Sequence, residues 1–436
     1  SASNAVYDRS SKAATVTAND WKGVPVNDIT VTYTGRNGTN YNSTDAPTNA
    51  GEYTASITLG EGENAKTASV EYSIEKASLE YTVPTGLTAK YGQTLADISL
   101  PTGWAWEDGT QSVGSVGEHT FKATYTPGDA NYHAVTGIDV TVTVNKAPVT
   151  IQIAGAPTEK TYGDADFTVT AANGVTESTG NNGKWTWTSS DSNILEITSG
   201  ANTATPTIKV KKADTTGATL TVTYSSITHY GTANVTIKVN KKDATITGLS
   251  ADDKEYDRST SATPTGTAVI DGKVGSDDVT VTAGTASFDN ENVGTDKTVT
   301  FTGYSLSGAD AGNYNLKAQP ASVTANIVAK DVKLTGSINA TDRSYVKDNK
   351  TVDLTKGTLT FDGLVSGETL DVNLPATGTI SDAKVGVYNV AYSGVTLKDG
   401  TGKASNYKLV SPLPTVTVNI TKATAPTLKN ITVSQK

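Results

Sequence analysis

Two Trp-x-Trp pairs are the residues of this sequence best suited to surface chemistry. They are Trp104-Ala105-Trp106 and Trp185-Thr186-Trp187. Residues i and i+2 of a strand face the same side, so each pair would place two indole rings on one face of a sheet. Exposed rings stack on sugars or on a partner protein, whereas buried rings fill the core of a small module. We favour the core, and we name Trp104, Trp106, Trp185 and Trp187 as the ligand-binding candidates for a glycan or a protein.

Residues of the kinds needed for catalysis are scattered along the chain. The three histidines, His119, His133 and His229, lack the i, i+3 or i, i+4 spacing of a metal pair. The sequence has no Gly-x-Ser-x-Gly elbow, and Gly402-Lys403 is followed by Ala404, where a phosphate loop needs Ser or Thr. An active site requires titratable groups that converge. We therefore expect no enzymatic activity, no catalytic residue and no cofactor.

Two other kinds of chemistry remain open. Carboxylates at Asp252-Asp253, at Asp277-Asp278 and at Asp164 with Asp166 could contribute to a calcium site, although none has EF-hand spacing. Aspartate is also a common turn residue. Lysines at strand ends near asparagines could form intramolecular amide bonds with the help of a buried carboxylate. Both possibilities depend on a three-dimensional arrangement, and we assign no metal site.

The composition favours many short, half-exposed strands. Of 436 residues, 36% are hydrophobic and 18% are charged, and the chain contains neither Cys nor Met. The lack of Cys excludes disulfides, thiolate metal sites and cysteine nucleophiles, and a chain free of oxidisable sulfur suits work outside the cell. The net charge of −9 comes without Lys/Arg clusters, which argues against nucleic acid as a partner. No apolar stretch approaches the ~18 residues of a membrane-spanning helix, so we expect no membrane insertion.

One phrase, an alternating strand that ends in Lys, recurs five times along the chain. The phrases end 70 to 95 residues apart, at Lys76, Lys146, Lys241, Lys330 and Lys422. Apolar and polar residues alternate in each phrase, which predicts a strand with one face on a core. Thr, Val, Ile and Tyr dominate the candidate strands, and Gly, Asn, Asp and Pro separate them. The pattern predicts an all-β chain of five modules.

Three shorter features repeat inside these modules. Glycine-centred turns open a strand at Gly51, Gly117, Gly294 and Gly386. An Asn-Tyr pair follows later, at Asn131-Tyr132, Asn313-Tyr314 and Asn406-Tyr407. A tyrosine stands near four module starts, at Tyr7, Tyr91, Tyr162 and Tyr256. We expect each opening tyrosine to pack its ring into its own module and to offer its hydroxyl to a turn or junction.

These phrases resemble two related repeat families of large bacterial surface proteins. One stretch of the chain resembles the YDG repeat through Tyr256-Asp257-Arg258, Gly266, Phe288, Asn292-Val293-Gly294 and residues 304–314. Arg258 stands where that motif carries Gly, so the turn at this point can differ. The MBG repeat is resembled by Tyr7-Asp8-Arg9 with residues 46–53, and its YGX type by Tyr91-Gly92-Gln93 and Tyr162-Gly163-Asp164. The last module has Tyr345-Val346-Lys347 in place of the opening motif.

The resemblance implies a tandem array of small Ig-like or β-grasp-like β modules that form an elongated rod. The expected divisions are an MBG-like module at 6–77, an MBG (YGX-type) module at 78–147, an MBG/Ig-like module at 148–241, a YDG-like module at 242–330, a degenerate YDG-like module at 331–423, and the start of a following module or linker at 424–436. The implied role is the structural or spacer region of a secreted, adhesin-like protein, which extends a functional head from the bacterial cell wall.

The alternative function is a glycan- or protein-binding module that uses exposed Trp pairs. In either case we expect a monomer at the cell surface, associated with the cell wall. Its possible partners are a host or environmental glycan or protein.

Overall fold

The computed structural model describes residues 1–176 and 183–427. The described residues form strands and four short 3-10 helices but no α-helix, so the predicted all-β class is confirmed. None of the described helices has the length and hydrophobicity needed to cross a membrane. The chain forms two compact units, one of Ser1–Thr158, Asp166–Lys209 and Ala218–Ile237 and the other of Glu159–Ala165, Val210–Gly217 and Lys238–Lys436.

Every described sheet takes its strands from one of five stretches of the chain. We call these stretches segments one to five, and they comprise residues 5–75, 87–145, 147–240, 242–328 and 330–421.

Segment one is a single five-stranded sheet with the strand order β1-β5-β4-β2-β3. Its strands are β1 (Ala5–Val6), β2 (Thr32–Arg36), β3 (Asn42–Ser43), β4 (Gly51–Leu59) and β5 (Lys66–Glu75), with a 3-10 helix at Gly62–Asn64. Segment two is a four-stranded sheet with the order β6-β9-β8-β7. Its strands are β6 (Leu87–Lys90), β7 (Trp104–Trp106), β8 (Gly117–Tyr125) and β9 (Val135–Asn145), with a 3-10 helix at Leu95–Asp97.

Segment three contains one larger sheet and two small ones. The larger sheet has the order β10-β19-β18-β15, with β12 also paired to β19, and the small sheets are β11-β14 and β13-β17-β16. The strands are β10 (Ala147–Pro148), β11 (Gln152–Ala154), β12 (Glu159–Thr161), β13 (Phe167–Thr168), β14 (Thr170–Ala172), β15 (Lys184–Ser189), β16 (Leu195–Ser199), β17 (Thr207–Val210), β18 (Asp214–Ser225) and β19 (His229–Asn240).

Segment four is built from three sheets, ordered β23-β20-β28, β21-β29-β26-β25-β22 and β24-β27. Its strands are β20 (Lys242–Ala251), β21 (Lys254–Glu255), β22 (Ser261–Ala262), β23 (Pro264–Asp271), β24 (Thr280–Thr282), β25 (Thr285–Phe288), β26 (Gly294–Thr302), β27 (Ser305–Ser307), β28 (Tyr314–Leu316) and β29 (Val323–Val328), with a 3-10 helix at Ala311–Asn313.

Segment five repeats the central pairings of segment four, in sheets ordered β34-β32-β30-β37, β31-β38-β35 and β33-β36. Its strands are β30 (Lys330–Ala340), β31 (Arg343–Ser344), β32 (Thr351–Asp362), β33 (Leu370–Asn373), β34 (Thr377–Thr379), β35 (Gly386–Asn389), β36 (Thr396–Asp399), β37 (Tyr407–Val410) and β38 (Thr417–Thr421), with a 3-10 helix at Ala404–Asn406.

The five predicted closing phrases are strands in the structure. They are β5, β9, β19, β29 and β38. Alternation has the expected effect in β9, where Val140, Val142 and Val144 are buried and the residues between them are exposed. A short opening strand pairs in parallel with each closing strand; these pairs are β1 with β5, β6 with β9, β12 with β19, β21 with β29 and β31 with β38.

The parallel pairing fixes the backbone of a tyrosine at the same place in every segment. The backbone N–H of this opening tyrosine donates to a carbonyl at the end of the closing strand, as Tyr7 to Glu75, Tyr91 to Asn145, Tyr162 to Asn240, Tyr256 to Val328 and Tyr345 to Thr421. Tyr345 therefore holds the opening position in segment five, although the sequence motif around it has changed. The position is set by backbone pairing and does not require the neighbouring residues.

The turn after the opening tyrosine needs a left-handed residue. Gly92 and Gly163 have φ of 88° and 82°, and Arg9 and Arg258 adopt φ of 70° and 64°. Replacement of the motif's Gly by Arg258 thus leaves the left-handed conformation in place. An L residue with a Cβ is strained there by roughly 1–2 kcal/mol.

Candidate functional site

The most distinctive site in the second unit is the junction between segments four and five. Lys330, at the start of β30, pairs in parallel with Tyr407 of its own segment. This pairing places the Tyr407 ring against the ring of Tyr256, with centroids 5.4 Å apart and an interplanar angle of 79°. Both residues are buried, with 5% and 2% of their surface exposed. The Asn-Tyr turn of one segment therefore covers the opening tyrosine of the segment before it.

A buried carboxylate joins the two tyrosines. The Tyr256 hydroxyl donates to Glu368 Oε1 at 2.8 Å, and the Tyr407 hydroxyl donates to Glu368 Oε2. The Glu368 side chain is 6% exposed, and Arg258 Nε lies 3.8 Å from it. Burial, followed by the hydrogen bond to Glu368, raises the pKa of both tyrosines, so each stays a neutral donor. The partners satisfy a carboxylate whose burial would otherwise be costly.

The asparagine of the pair binds the glycine turn of the preceding segment. Asn406 Oδ1 accepts the backbone N–H of Val293 at 3.0 Å, and Asn406 Nδ2 donates to Asn292 Oδ1 at 3.2 Å. Asn406 is 1% exposed. The Asn-Tyr pair thus contacts both features that flank the end of β29, the opening tyrosine and the glycine turn.

A second pair of tyrosines bound to a shared carboxylate lies where residues 159–165 and 210–217 contact segment four. Tyr162 and Tyr314 have ring centroids 5.6 Å apart at 76°. Both hydroxyls donate to Asp277 Oδ2, at 2.9 Å from Tyr162 and 2.5 Å from Tyr314. Asn313 Oδ1 accepts the N–H of Ala213 at 2.9 Å.

The pKa values of this second tyrosine pair are raised for the same reasons as those of Tyr256 and Tyr407. Burial and the hydrogen bond to Asp277 raise the pKa of Tyr314 to about 12, and the pKa of Tyr162 is also raised. Asp277 occupies the role that Glu368 has in segment five. The paired aspartates considered for calcium therefore include one that binds two tyrosines.

The first junction has a more open version of these contacts. Tyr7 and Tyr132 lie 5.4 Å apart at 89°, and the Tyr7 hydroxyl is 3.4 Å from Asp129 Oδ2. Asn131 Oδ1 accepts the N–H of Ala50 at 2.8 Å. The preference for Asn at this position has one cause at three junctions: its amide oxygen accepts a backbone N–H of the preceding segment.

The second junction substitutes histidine for the turn tyrosine. Ala147 pairs in parallel with His229, as Lys242 pairs with Tyr314 and Lys330 with Tyr407. The His229 ring lies 5.6 Å from that of Tyr91 at an angle of 80°. Sequence reasoning missed this role because Thr228-His229 does not match Asn-Tyr. The available signal was an aromatic residue at the start of a strand, since His229 starts β19 as Tyr314 and Tyr407 start β28 and β37.

The opening tyrosines agree only in part with the prediction made for them. At Tyr162 and Tyr256 the hydroxyl does reach a junction. The rings are not held by their own segment alone, since each contacts the ring of the next segment. Among the described residues, no group of three or more His, Cys, Asp or Glu side chains could hold a metal ion. The contacts described for Tyr162 and Tyr256 are ring packing and hydrogen bonds.

The four candidate tryptophans occupy different environments. Trp187 is 3% exposed and donates its Nε1–H to the Thr203 carbonyl at 3.1 Å. Trp106 is half-buried, and its Nε1–H donates to the Ile98 carbonyl at 3.1 Å. Trp185 is half-buried against Tyr224, with centroids 4.7 Å apart. These three indoles contribute to packing inside their own segments.

Trp104 belongs to a cluster of three half-exposed rings, which we call the aromatic cluster. Its ring lies 5.7 Å from that of Tyr81 and 5.2 Å from that of Tyr125. Glu80, Thr82 and Thr102 line the same surface depression. The sequence identified Trp104 but not its two tyrosine neighbours, because Tyr81 precedes segment two and Tyr125 lies on a different strand, β8.

Comparisons with known proteins place one family within this chain. Residues 240–325 match the YDG domain. No curated protein matches the chain. The flanking segments are outside the matched range, and their resemblance to MBG repeats stays a prediction.

Solved structures of repeat proteins are similar at low identity. Drosophila N-cadherin EC1-4 is 10% identical, with 74% of this chain and 98% of that chain covered and a TM-score of 0.23. The human Desmocollin-1 ectodomain is 10% identical, with 98% and 99% covered and a TM-score of 0.20. Domains 4 and 5 of the S-layer protein SbsC are 17% identical, with 35% and 95% covered and a TM-score of 0.16. At these TM-scores the matches carry no argument about function, and the comparisons show a YDG domain at residues 240–325.

Proposed function

We propose that this chain is a structural repeat region of a secreted bacterial surface protein. In this proposal five β modules, with the boundaries expected from the sequence, hold a functional head away from the cell wall. The observation that carries the proposal is the recurrence of one junction. At three places an Asn-Tyr turn binds both the opening tyrosine and the glycine turn, or its equivalent, of the segment before it.

Recurrence favours attachment over ligand binding. A ligand site is usually built once, whereas a contact that every neighbour needs is repeated in each repeat. The polar groups at the fourth-to-fifth junction are also satisfied by protein: Glu368 by two tyrosines and Asn406 by Asn292 and the Val293 backbone. Little binding capacity is left there for another molecule.

A force experiment on the full chain tests the structural role. If five modules unfold independently, stretching one molecule should give five events. An extended chain spans about 3.3–3.6 Å per residue, so a module of 70–95 residues is roughly 230–340 Å long when unfolded. Each unfolding event should lengthen the molecule by this distance minus the length of the folded module. One or two large events would contradict the division into five modules.

Location at the cell surface is supported by the YDG domain and by the absence of Cys and Met. An antibody raised against this chain should label intact cells of the producing organism. Treatment with a protease that cannot enter cells should remove the label. Labelling only after lysis would contradict secretion and the spacer role together.

The aromatic cluster favours a second candidate function, the binding of a glycan. Trp104 and Tyr81 present ring surface beside the polar groups of Glu80, Thr82 and Thr102, a combination that suits a sugar ring and its hydroxyls. A glycan array should show binding by the full chain and loss of binding in Trp104→Ala. The matched control is Trp21→Ala, since Trp21 is 89% exposed and lies outside the cluster. Equal binding by both variants would remove the cluster from consideration.

A further inference from the structure

Among the described residues, the end of segment five carries an exposed copy of the surface that the Asn-Tyr turns bind elsewhere. Tyr345 holds the opening position, and Gly386 pairs with Ile420 as Gly294 pairs with Ile327. The opening tyrosine and the glycine turn thus flank the end of β38 as they flank the end of β29. In segment four the corresponding residues are covered by Tyr407 and Asn406.

Exposure separates this end from its covered counterparts. Tyr345 is 39% exposed, whereas Tyr256 is 2% and Tyr162 is 8% exposed. Val385 corresponds to Val293, whose backbone N–H donates to Asn406. Val385 is 57% exposed, and its backbone N–H has no acceptor among the described residues.

The residue types at this end are also more apolar than at the equivalent places. Val346 follows the opening tyrosine where segments one and four have Asp8 and Asp257. Val387 follows the turn glycine where segments one and two have Glu52 and Glu118. The two valines are 52% and 70% exposed. Their counterparts in segment four, Asp257 and Thr295, are exposed as well, so the two valines flank the surface that an Asn-Tyr turn would cover.

We propose that Tyr345 and Val385 form a docking surface for a further β module that presents an Asn-Tyr turn. The incoming asparagine accepts the Val385 N–H, and the incoming tyrosine packs its ring edge-to-face on Tyr345. The occupant follows from the other junctions, where this surface is covered each time by the turn of the next segment. The inference rests on the proposed repeat organisation and adds a partner for its uncovered end.

The test extends the full chain by a second copy of residues 330–422 placed after Lys422. The appended copy then offers its own Asn406-Tyr407 turn to the original Tyr345. The link between the original segment and the copy has the same length as the link between segments four and five. Nitration by tetranitromethane, read by peptide mass spectrometry, reports the exposure of each tyrosine. Because Tyr345 should go from 39% exposed to the 2% of Tyr256, its nitration rate should fall in proportion, by roughly twentyfold.

The matched control is the same extension with Asn406→Ala and Tyr407→Ala in the appended copy only. It should leave the original Tyr345 as reactive as in the unextended chain. A second extension, with residues 242–422 appended, offers Asn313-Tyr314 instead and covers the case in which the first extension does not fold. If Tyr345 of the original segment stays fully reactive in either folded extension, the docking surface is refuted.

The same measurement distinguishes this inference from the proposed function. If the repeat organisation is wrong, Tyr256 in the unextended chain will be nitrated as fast as Tyr345. If only the docking surface is wrong, Tyr256 will be protected while Tyr345 remains reactive in the extensions.

Discussion

Removal of one hydroxyl from the junction of segments four and five should destabilise it measurably. Tyr256→Phe keeps the buried ring and deletes the donor to Glu368, a bond of 2.8 Å to a carboxylate whose side chain is 6% exposed. Hydrogen bonds to charged groups contribute about 1.5–3 kcal/mol, and we expect a loss in that range. Tyr256→Ala also removes the buried ring and should cost about 3–5 kcal/mol, as for other large aromatic truncations.

Segment five provides the matched control. Tyr345 occupies the same backbone position but is 39% exposed. Tyr345→Phe should therefore change stability by less than about 0.5 kcal/mol, as surface substitutions usually do.

A local measurement is needed because a chain of several modules does not unfold in one step. Denaturant-dependent hydrogen exchange of the buried amides of β29 and β30 gives the free energy of opening on each side of the junction. If Tyr256→Phe shifts these free energies no more than Tyr345→Phe does, the hydroxyl does not hold the junction, and the argument from the shared carboxylate fails.

Three further predictions concern the same junctions. Gly163→Ala should destabilise the protein more than Gly92→Ala in thermal unfolding. Both positions have positive φ, but only at Gly163 would the new Cβ lie 2.5 Å from Val274. The pKa of Tyr314 is raised from 10 to about 12. The stability that the neutral Tyr314 hydroxyl contributes is therefore complete below pH 10 and is lost as the pH rises toward 12. A spectroscopic titration of the tyrosines should show one late-titrating group fewer in Tyr314→Phe. Arg258→Gly should raise stability by up to about 1–2 kcal/mol through relief of the left-handed conformation, and a lower melting temperature would show that the contact with Glu368 outweighs the strain.

The strands were predictable because alternation is a local pattern. Residues such as Val140, Val142 and Val144 identify a half-buried strand without reference to its partner. The parallel pairing of each opening strand with its closing strand joins residues 55 to 79 positions apart, from Leu87 with Val142 to Glu159 with Lys238. No local pattern encodes such a pairing, and only the repetition of Tyr near each start pointed to it.

The functional candidates were harder to predict for the same reason. Trp104 and Trp106 share a strand and are both half-buried, yet one joins a half-exposed ring cluster and the other donates to a core carbonyl. Period-two spacing assigns a face, but burial depends on what packs over that face. The carboxylates at the junctions could not be identified either, because Asp277 and Glu368 differ in type and meet their tyrosines only after folding.

The sequence repeats that are easiest to see are therefore of two kinds with different causes. The closing strands repeat because each segment needs its own core, and many apolar residues satisfy that need. The Asn-Tyr pair repeats because one side chain must accept a backbone N–H while the adjacent ring must cover a tyrosine in the preceding segment. Few residue types do both, and the one junction that departs from the pair keeps a ring, His229, at the position where the pairing places it. This restriction explains why the pair stays recognisable at three junctions while the strands around it vary freely in sequence.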